Sequence, residues 1–341
     1  MLLVIFGAGA SHDSAPARSL AFSQFNNLAD RPPLANQLFD DRPDFREDLD
    51  LFPQCKRIVP LLRNANAASA FEQTLHRLQM EGQGYAPRFP QLAAVRFYLR
   101  RMLWRCEDRW YAQHRDVTNY ATLLDHLGMW RRASQPILLV TFNYDRMLER
   151  ALKHFNQAFT EIPHYIESKR FLVFKLHGSV NWGHRLQTQI VTENRGWPDI
   201  AHELIQQMAH VEFTDEYVVL DHHDIVNDRA RVYFPAVALP VEQKVTFECP
   251  ESHVNALREN LPHVTRILTI GWRGTENTFL DLLKGHLPYP VPIQVIAKDG
   301  LEATAIGHHL NGRRIALTID AYPSGFTDYV VSRDGEGFLR D

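Results

Sequence analysis

The sequence predicts an α/β fold: a doubly wound parallel sheet with large helical insertions. Three observations indicate this class. Short, continuously apolar runs recur along the chain, as expected for strands that are buried on both faces. Segments with helical spacing of apolar residues separate most of these runs, which is typical of parallel sheets. Polar or glycine-rich residues directly follow several runs, at the strand ends where ligands bind in open α/β sheets.

The composition of the 341 residues is that of a folded chain with a sizeable core, being 45% hydrophobic and 23% charged. A net charge of −3 predicts no general attraction to nucleic acid or to anionic membranes. No apolar run approaches the roughly 20 residues of a membrane span, and the N-terminal run does not lead to a cleavage site. The three cysteines are far apart, so we expect neither disulfides nor a zinc knuckle, and a cytoplasmic location.

The first predicted strand, Leu2 to Phe6, runs directly into Gly7-Ala8-Gly9-Ala10-Ser11. These small residues let a ligand approach the backbone closely. A helix starting just beyond would direct free N–H groups and its positive end at that ligand, which favours an anion such as a pyrophosphate. The usual dinucleotide-binding pattern has a third glycine near the position of His12, so this turn alone is a weak signal.

We expect one Rossmann-like domain built from residues 1–12 and 136–341. Residues 13–135 show helical periods and are predicted to be a helical insertion, and residues 184–231 a second insertion whose pattern is poor. One face of the helix around residues 92–110 carries a row of arginines. We interpret it as a solvated face paired with Glu107 and Asp108, and a partner contact is the alternative. The arginines are Arg96, Arg100, Arg105 and Arg109.

Polar residues follow two further buried strands. Ile137 to Val140 leads into Thr141-Phe142-Asn143-Tyr144-Asp145, and Asp145 is placed to cap a helix over about 146–154. Phe171 to Leu176 leads into His177-Gly178-Ser179. Because the carboxyl ends of parallel strands lie on one edge, we expect these segments and the glycine turn to converge.

The C-terminal part continues the alternation. A helix from Ser252, with that serine as its cap, precedes the strand Ile267 to Ile270, which ends at Gly271-Trp272. The strand 293–297 is followed by Lys298-Asp299, and Ile315 to Ile319 completes the pattern.

The segments GAGAS, TFNYD and LHGS, in this order and each at a strand end, resemble the sirtuin-like (SIR2-like) superfamily of NAD-consuming enzymes. The wider pattern looks like its divergent bacterial branch of NAD hydrolases, which is associated with anti-phage defence. The segments similar to that branch are Phe71-Glu72, residues 175–182, residues 235–244 and residues 270–272.

The resemblance implies a role for each matching residue. The NAD pyrophosphate would be wrapped by the glycine turn, which consists of Gly7, Ala8, Gly9, Ala10 and Ser11. The nicotinamide ribose would lie near Asn143 and Asp145 of the N-x-D segment, and the catalytic histidine would be His177. The adenosine half would lie beside Gly271 and Trp272, and its ribose near Lys298 or Asp299.

The residue types suit cleavage of NAD to nicotinamide and ADP-ribose. Nicotinamide is already a cationic leaving group, so the reaction needs a base and ribose contacts more than a strong acid. His177 can be the base and Asn143 can bind the ribose or water. Sirtuins usually carry glutamine where Phe142 stands, and their zinc-binding cysteines are absent here, which disfavours deacylation. NAD is thus expected as substrate, with no metal.

Two other function classes stay open. A non-catalytic NAD- or ADP-ribose-binding subunit of a larger complex would carry the same segments. A metal-dependent phosphoesterase is suggested by Asp221-His222-His223-Asp224, but its upstream D-x-D is missing, and a polar loop is the simpler interpretation. Trp182 and Trp272 could contact ligand or fill the core.

An NAD-depleting enzyme would need restraint, so we expect a homo-oligomer or a regulatory partner such as an ATPase.

Overall fold

A computed structural model describes residues 1–15, 31–64, 67–82, 84–114, 117–132, 134–187, 190, 192–220, 225, 231–241 and 246–340. Its strands, in chain order, are β1 Leu2–Phe6, β2 Ile137–Thr141, β3 Phe171–Lys175, β4 Gly178–Leu186, β5 Phe213–Val219, β6 Tyr233–Val237, β7 Arg266–Ile270, β8 Val291–Ile296 and β9 Ala316–Tyr322. Its α-helices are α1 Ala8–His12, α2 Pro43–Asp50, α3 Val59–Arg63, α4 Ala68–Glu81, α5 Arg88–His114, α6 Asn119–Trp130, α7 Met147–Leu152, α8 Trp197–Gln207, α9 Glu251–Asn260, α10 Asn277–His286, α11 Gly300–Gly312, α12 Gly325–Ser332 and α13 Glu336–Leu339.

Six strands form one parallel sheet in the order β3-β2-β1-β7-β8-β9. Counted within this sheet alone, the order is 3-2-1-4-5-6, which is the Rossmann order with the topological switch beside β1. In register, Leu2 of β1 lies between Ile137 of β2 and Arg266 of β7. The predicted fold class is confirmed.

Continuous apolar sequence produces strands that are covered on both faces. Every residue of β1, β2 and β3 is buried, so side chains on both sides of the sheet are packed against helices. The edge strand β9 differs, because most of its residues are exposed or half-buried. Burial on both faces therefore anchors the middle of the sheet, where the loops of interest emerge.

A second, three-stranded antiparallel sheet has the order β5-β4-β6. Val180 of β4 and Phe234 of β6 belong to the same hydrophobic cluster as much of α5, and the ring of Phe97 meets that of Phe234 edge-on at 5.2 Å. Helices α2 to α5 thus share a core with this small sheet, whereas α6 packs in the cluster of the parallel sheet. The predicted division of the chain into a core and two insertions stays a prediction.

Two local predictions are wrong. The helix α9 begins at Glu251 with Pro250 as its N-cap, so Ser252 lies inside the first turn and does not cap it. The arginine row of α5 does not pair with Glu107 and Asp108, which bind Arg146 and Arg150 instead. The arginines bind partners far away in sequence, and these are Glu248 for Arg96, the backbone oxygen of Val180 for Arg100, Asp48 and Glu47 for Arg105, and Asp44 for Arg109.

The cap predicted for α7 is displaced by one residue. The N-cap position is held by Arg146, which makes no side-chain capping bond, and the carboxylate of Asp145 just before it accepts the N–H of Met147 at 3.1 Å. Within the described part of the chain, none of the helices has the length and apolar character needed to cross a membrane.

Candidate functional site

A cleft of about 730 Å³ lies at the carboxyl ends of the parallel strands. Its volume is within the roughly 300–1,000 Å³ that is usual for small-molecule and cofactor sites. The loops after β1, β2, β3, β7 and β8 all contribute lining residues, and residues of α4 and α5 also line the cleft. The cleft is thus at the switch point, where ligands bind in open α/β sheets.

The glycines of the turn after β1 allow two backbones to touch. A Cβ atom on Gly7 would lie 2.4 Å from the carbonyl oxygen of Gly271, and one on Gly9 would lie 2.8 Å from the Gly271 Cα. The N–H of Gly9 donates to the same Gly271 carbonyl oxygen at 3.1 Å. Gly271 itself has a φ of +56°, in the left-handed region that favours glycine. These residues therefore join the loop after β1 to the loop after β7.

Other members of the turn differ in their access to the cleft. Gly7, Ala8, Gly9 and Ser11 line it. Ala10 is fully buried, lies outside the lining, and its N–H donates to the Gly7 oxygen at 2.9 Å.

The side chain of Asn143 is fixed by the glycine turn. Its Nδ2 is 2.9 Å from the carbonyl oxygen of Gly7, 2.9 Å from Ser11 Oγ and 3.2 Å from Tyr120 Oη. A carbonyl oxygen can only accept, so the amide nitrogen must face Gly7, and this contact sets the amide orientation. The Oδ1 atom is therefore the part of this amide that can accept a hydrogen bond from a ligand or water.

Tyr120 completes this network from helix α6. Its hydroxyl lies 2.9 Å from Ser11 Oγ, and burial raises its pKa well above the usual value. The tyrosine is thus a neutral hydrogen-bonding group at neutral pH.

Asp145 lies two residues beyond Asn143 and lines the same cleft. Burial raises the pKa of its carboxyl, while the nearby charge of Lys175 and hydrogen bonds from Ser11 and the Met147 N–H oppose that rise. Titratable groups with pKa values perturbed by burial and a nearby charge cluster at functional sites.

His177 lines the cleft together with Asn143 and is 8% exposed. Its ring centroid is 4.8 Å from that of Phe142 and 6.3 Å from that of Tyr144. Phe142 stacks on Trp272 at 5.8 Å with an interplanar angle of 10°. The loops after β2, β3 and β7 therefore meet in one row of rings along the cleft.

The other expected ligand residues are divided. Lys298 lines the cleft, but Asp299 does not, and its carboxylate instead caps α11 by accepting the N–H of Glu302 at 2.9 Å. Trp272 lines the cleft although it is nearly buried, whereas Trp182 lies wholly in the core beside Tyr165.

Sequence reasoning gave no role to Tyr120, Glu72 or Arg273. Glu72 of α4 pairs with Arg273 of the loop after β7, and both residues line the cleft, so this ion pair joins the helical part of the lining to the loops of the sheet. Glu72 could have been found from the sequence, because the Phe71-Glu72 segment is one of those that resemble the SIR2-like branch. Tyr120 lies in an ordinary amphipathic helix, and no sequence pattern indicated a functional role for it.

The described residues hold no group of three or more histidine, cysteine, aspartate and glutamate side chains able to bind a metal. The segment from Asp221 to Asp224 lies outside the described residues.

Comparisons with known proteins add a family similarity. Residues 137–231 match the SIR2-like domain family. A Sir2 homolog–NAD complex is 12% identical, with 99% of this chain and 90% of that chain covered and a TM-score of 0.40. Sir2Tm bound to a propionylated peptide is 13% identical, with 99% and 94% covered and a TM-score of 0.39. No curated protein matches the chain. The fold assignment comes from the strand order itself.

Proposed function

We propose that this chain is an NAD-dependent enzyme of the sirtuin type that hydrolyses NAD⁺ to nicotinamide and ADP-ribose. The observation that carries the proposal is the convergence of Asn143, His177 and the glycine turn on one cleft at the topological switch point. The match of residues 137–231 to the SIR2-like domain family supports it, because that stretch contains both Asn143 and His177.

The reaction assigns a role to each of these groups. The bond between the nicotinamide nitrogen and ribose C1 breaks, and the electron pair leaves with nicotinamide, which becomes neutral. A water oxygen bonds to C1, and its proton passes to the imidazole of His177 as general base. The Oδ1 atom of Asn143 accepts a hydrogen bond from a ribose hydroxyl or from that water. General-base catalysis contributes about 10²–10⁴-fold, so positioning supplies much of the remaining acceleration.

The cleft suits a molecule with a polar middle and two ring-bearing ends. In this proposal the glycine turn faces the pyrophosphate, with Trp272 and Lys298 toward the adenosine half. The nicotinamide ribose lies near Asn143, Asp145 and His177. Asp299 and Ala10, which do not line the cleft, act indirectly by shaping α11 and α1.

We propose further that the enzyme depletes NAD in the bacterial cytoplasm during anti-phage defence, and needs no metal. Uncontrolled depletion would be toxic, so restraint by homo-oligomerisation or by a partner such as an ATPase belongs to the same proposal.

The test is to incubate the purified protein with NAD⁺ and to quantify nicotinamide, ADP-ribose and cyclic ADP-ribose by mass spectrometry. We expect His177→Ala and Asn143→Ala each to abolish nicotinamide release while the protein stays folded. The exposed residues His263 and Asn311 provide matched controls, because His263→Ala and Asn311→Ala should retain wild-type turnover.

Other outcomes would contradict the proposal. Full turnover in either cleft variant would remove its assigned role. Binding of NAD⁺ by the wild type without cleavage would favour a non-catalytic subunit. Loss of activity with a chelator would favour the metal-dependent phosphoesterase.

A further inference from the structure

A charged side chain is completely buried behind the cleft. Lys175, the last residue of β3, has no exposed side-chain surface, and its Nζ lies 2.9 Å from Oε1 of Glu149 on α7. Tyr165 donates to the same oxygen at 3.2 Å. Burying two charges costs several kcal/mol per ion unless the pair is well hydrogen-bonded, and an apolar pair of similar volume is often as stable. Stability alone therefore does not explain this pair.

The lysine contacts the loop that carries Asn143. Its Nζ donates to the backbone carbonyl oxygen of Asp145. The preceding carbonyl, of Tyr144, accepts the N–H of Val180 at 2.8 Å and the hydroxyl of Ser179 at 3.2 Å. The carbonyl groups of the two residues that follow Asn143 are thus held by the segment that carries His177.

Neither member of the ion pair lines the cleft, so the pair has no direct access to a ligand. We propose that Lys175, fixed by Glu149, is a positioning residue that holds the loop 143–145 in register with His177. The kinetic test of this inference rests on the proposed function, because it measures the rate of NAD⁺ hydrolysis. Glu149 and Tyr165 limit the movement of the ammonium group, which can then fix the Asp145 carbonyl. The same positive charge also opposes the effect of burial on the Asp145 carboxyl.

The experiment replaces the pair with apolar side chains, as Lys175→Met/Glu149→Met. Because neither member of the pair is then left as a lone charge, we expect a smaller loss of unfolding free energy than in Lys175→Met alone. The loss is not zero, since the Tyr165 hydroxyl and the Asp145 carbonyl each lose a partner. The contact with the Asp145 carbonyl is lost, so kcat for nicotinamide release should fall about 10–100-fold, since displacement of reacting groups by about 1 Å can cost 10²-fold. KM for NAD⁺ should change less than about threefold.

Asp48 provides the control. It is a buried carboxylate on α2 that pairs with Arg101 and Arg105 of α5 and does not line the cleft. Asp48→Leu should lower stability and leave kcat unchanged for the folded protein. If the Met pair does not fold, Lys175→Gln/Glu149→Gln is measured instead, because glutamine is one atom too short to make the lysine's contact.

Hydrogen exchange separates this inference from the proposed function. We expect the amides of Asn143 and Arg146 to exchange at least about tenfold faster in the paired variant, whether or not the wild type cleaves NAD⁺. Wild-type kcat, or unchanged protection of these amides, would overturn the positioning role. Absence of cleavage by the wild type would overturn the proposed function and leave the exchange test valid.

Discussion

Gly271→Ala should damage the joint between the loops after β1 and β7. A Cβ atom there would lie 2.4 Å from the Ala10 nitrogen and 2.5 Å from the Gly9 carbonyl carbon, and both are backbone atoms that cannot rotate away. The left-handed conformation, φ +56°, adds about 1–2 kcal/mol for a residue with a side chain. Overpacking typically adds about 1–3 kcal/mol. We therefore expect the free energy of unfolding to fall by about 2–5 kcal/mol.

Gly285→Ala is the matched control for this prediction. Gly285 lies within α10 and has no atom within 4 Å of a Cβ position, so alanine should stabilise the helix by about 0.5–1 kcal/mol. Urea unfolding of both variants measures the difference, and NAD⁺ turnover at low temperature should fall in Gly271→Ala alone. A stability loss below about 1 kcal/mol in Gly271→Ala would refute the proposed backbone contact.

Two further predictions concern the surroundings of the cleft. Although burial opposes ionisation, Arg96 and His184 hold the pKa of Glu248 at about 2, below its ordinary 4.5. This stabilisation is complete above pH 4.5 and is lost as the pH falls through 2, so Glu248→Gln should cost up to about 3 kcal/mol at pH 7 and about half as much at pH 3 in urea unfolding. Tyr120→Phe removes a hydroxyl that contacts Asn143 and Ser11, so kcat should fall about tenfold with little change in KM; an unchanged steady-state kcat would contradict this.

Local composition predicted the strands and the edge where the loops meet. The short apolar runs before Asn143 and His177 favoured strands buried on both faces, and β2 and β3 have nearly the predicted bounds. The contact of Asp145 with the start of α7 was also predictable, because its carboxylate binds a backbone N–H only two residues away, although the N-cap position itself is Arg146.

Long-range contacts could not be predicted. The glycine turn was expected to leave space for a ligand, yet Gly7 and Gly9 also leave space for Gly271, which lies far along the chain. The predicted partners of the α5 arginines were wrong for the same reason. Arg96, for example, binds Glu248, which is far along the chain, and not a neighbour on its own helix. The contact of Lys175 with the Asp145 carbonyl joins two adjacent strand ends in a way that no local pattern encodes.

The most direct measurement is the release of nicotinamide from NAD⁺ by the purified wild-type protein, followed by mass spectrometry. We expect equal amounts of nicotinamide and ADP-ribose-containing product, and no release by His177→Ala or Asn143→Ala. Intact NAD⁺ after prolonged incubation with folded wild-type protein, or release that persists in both variants, would contradict it.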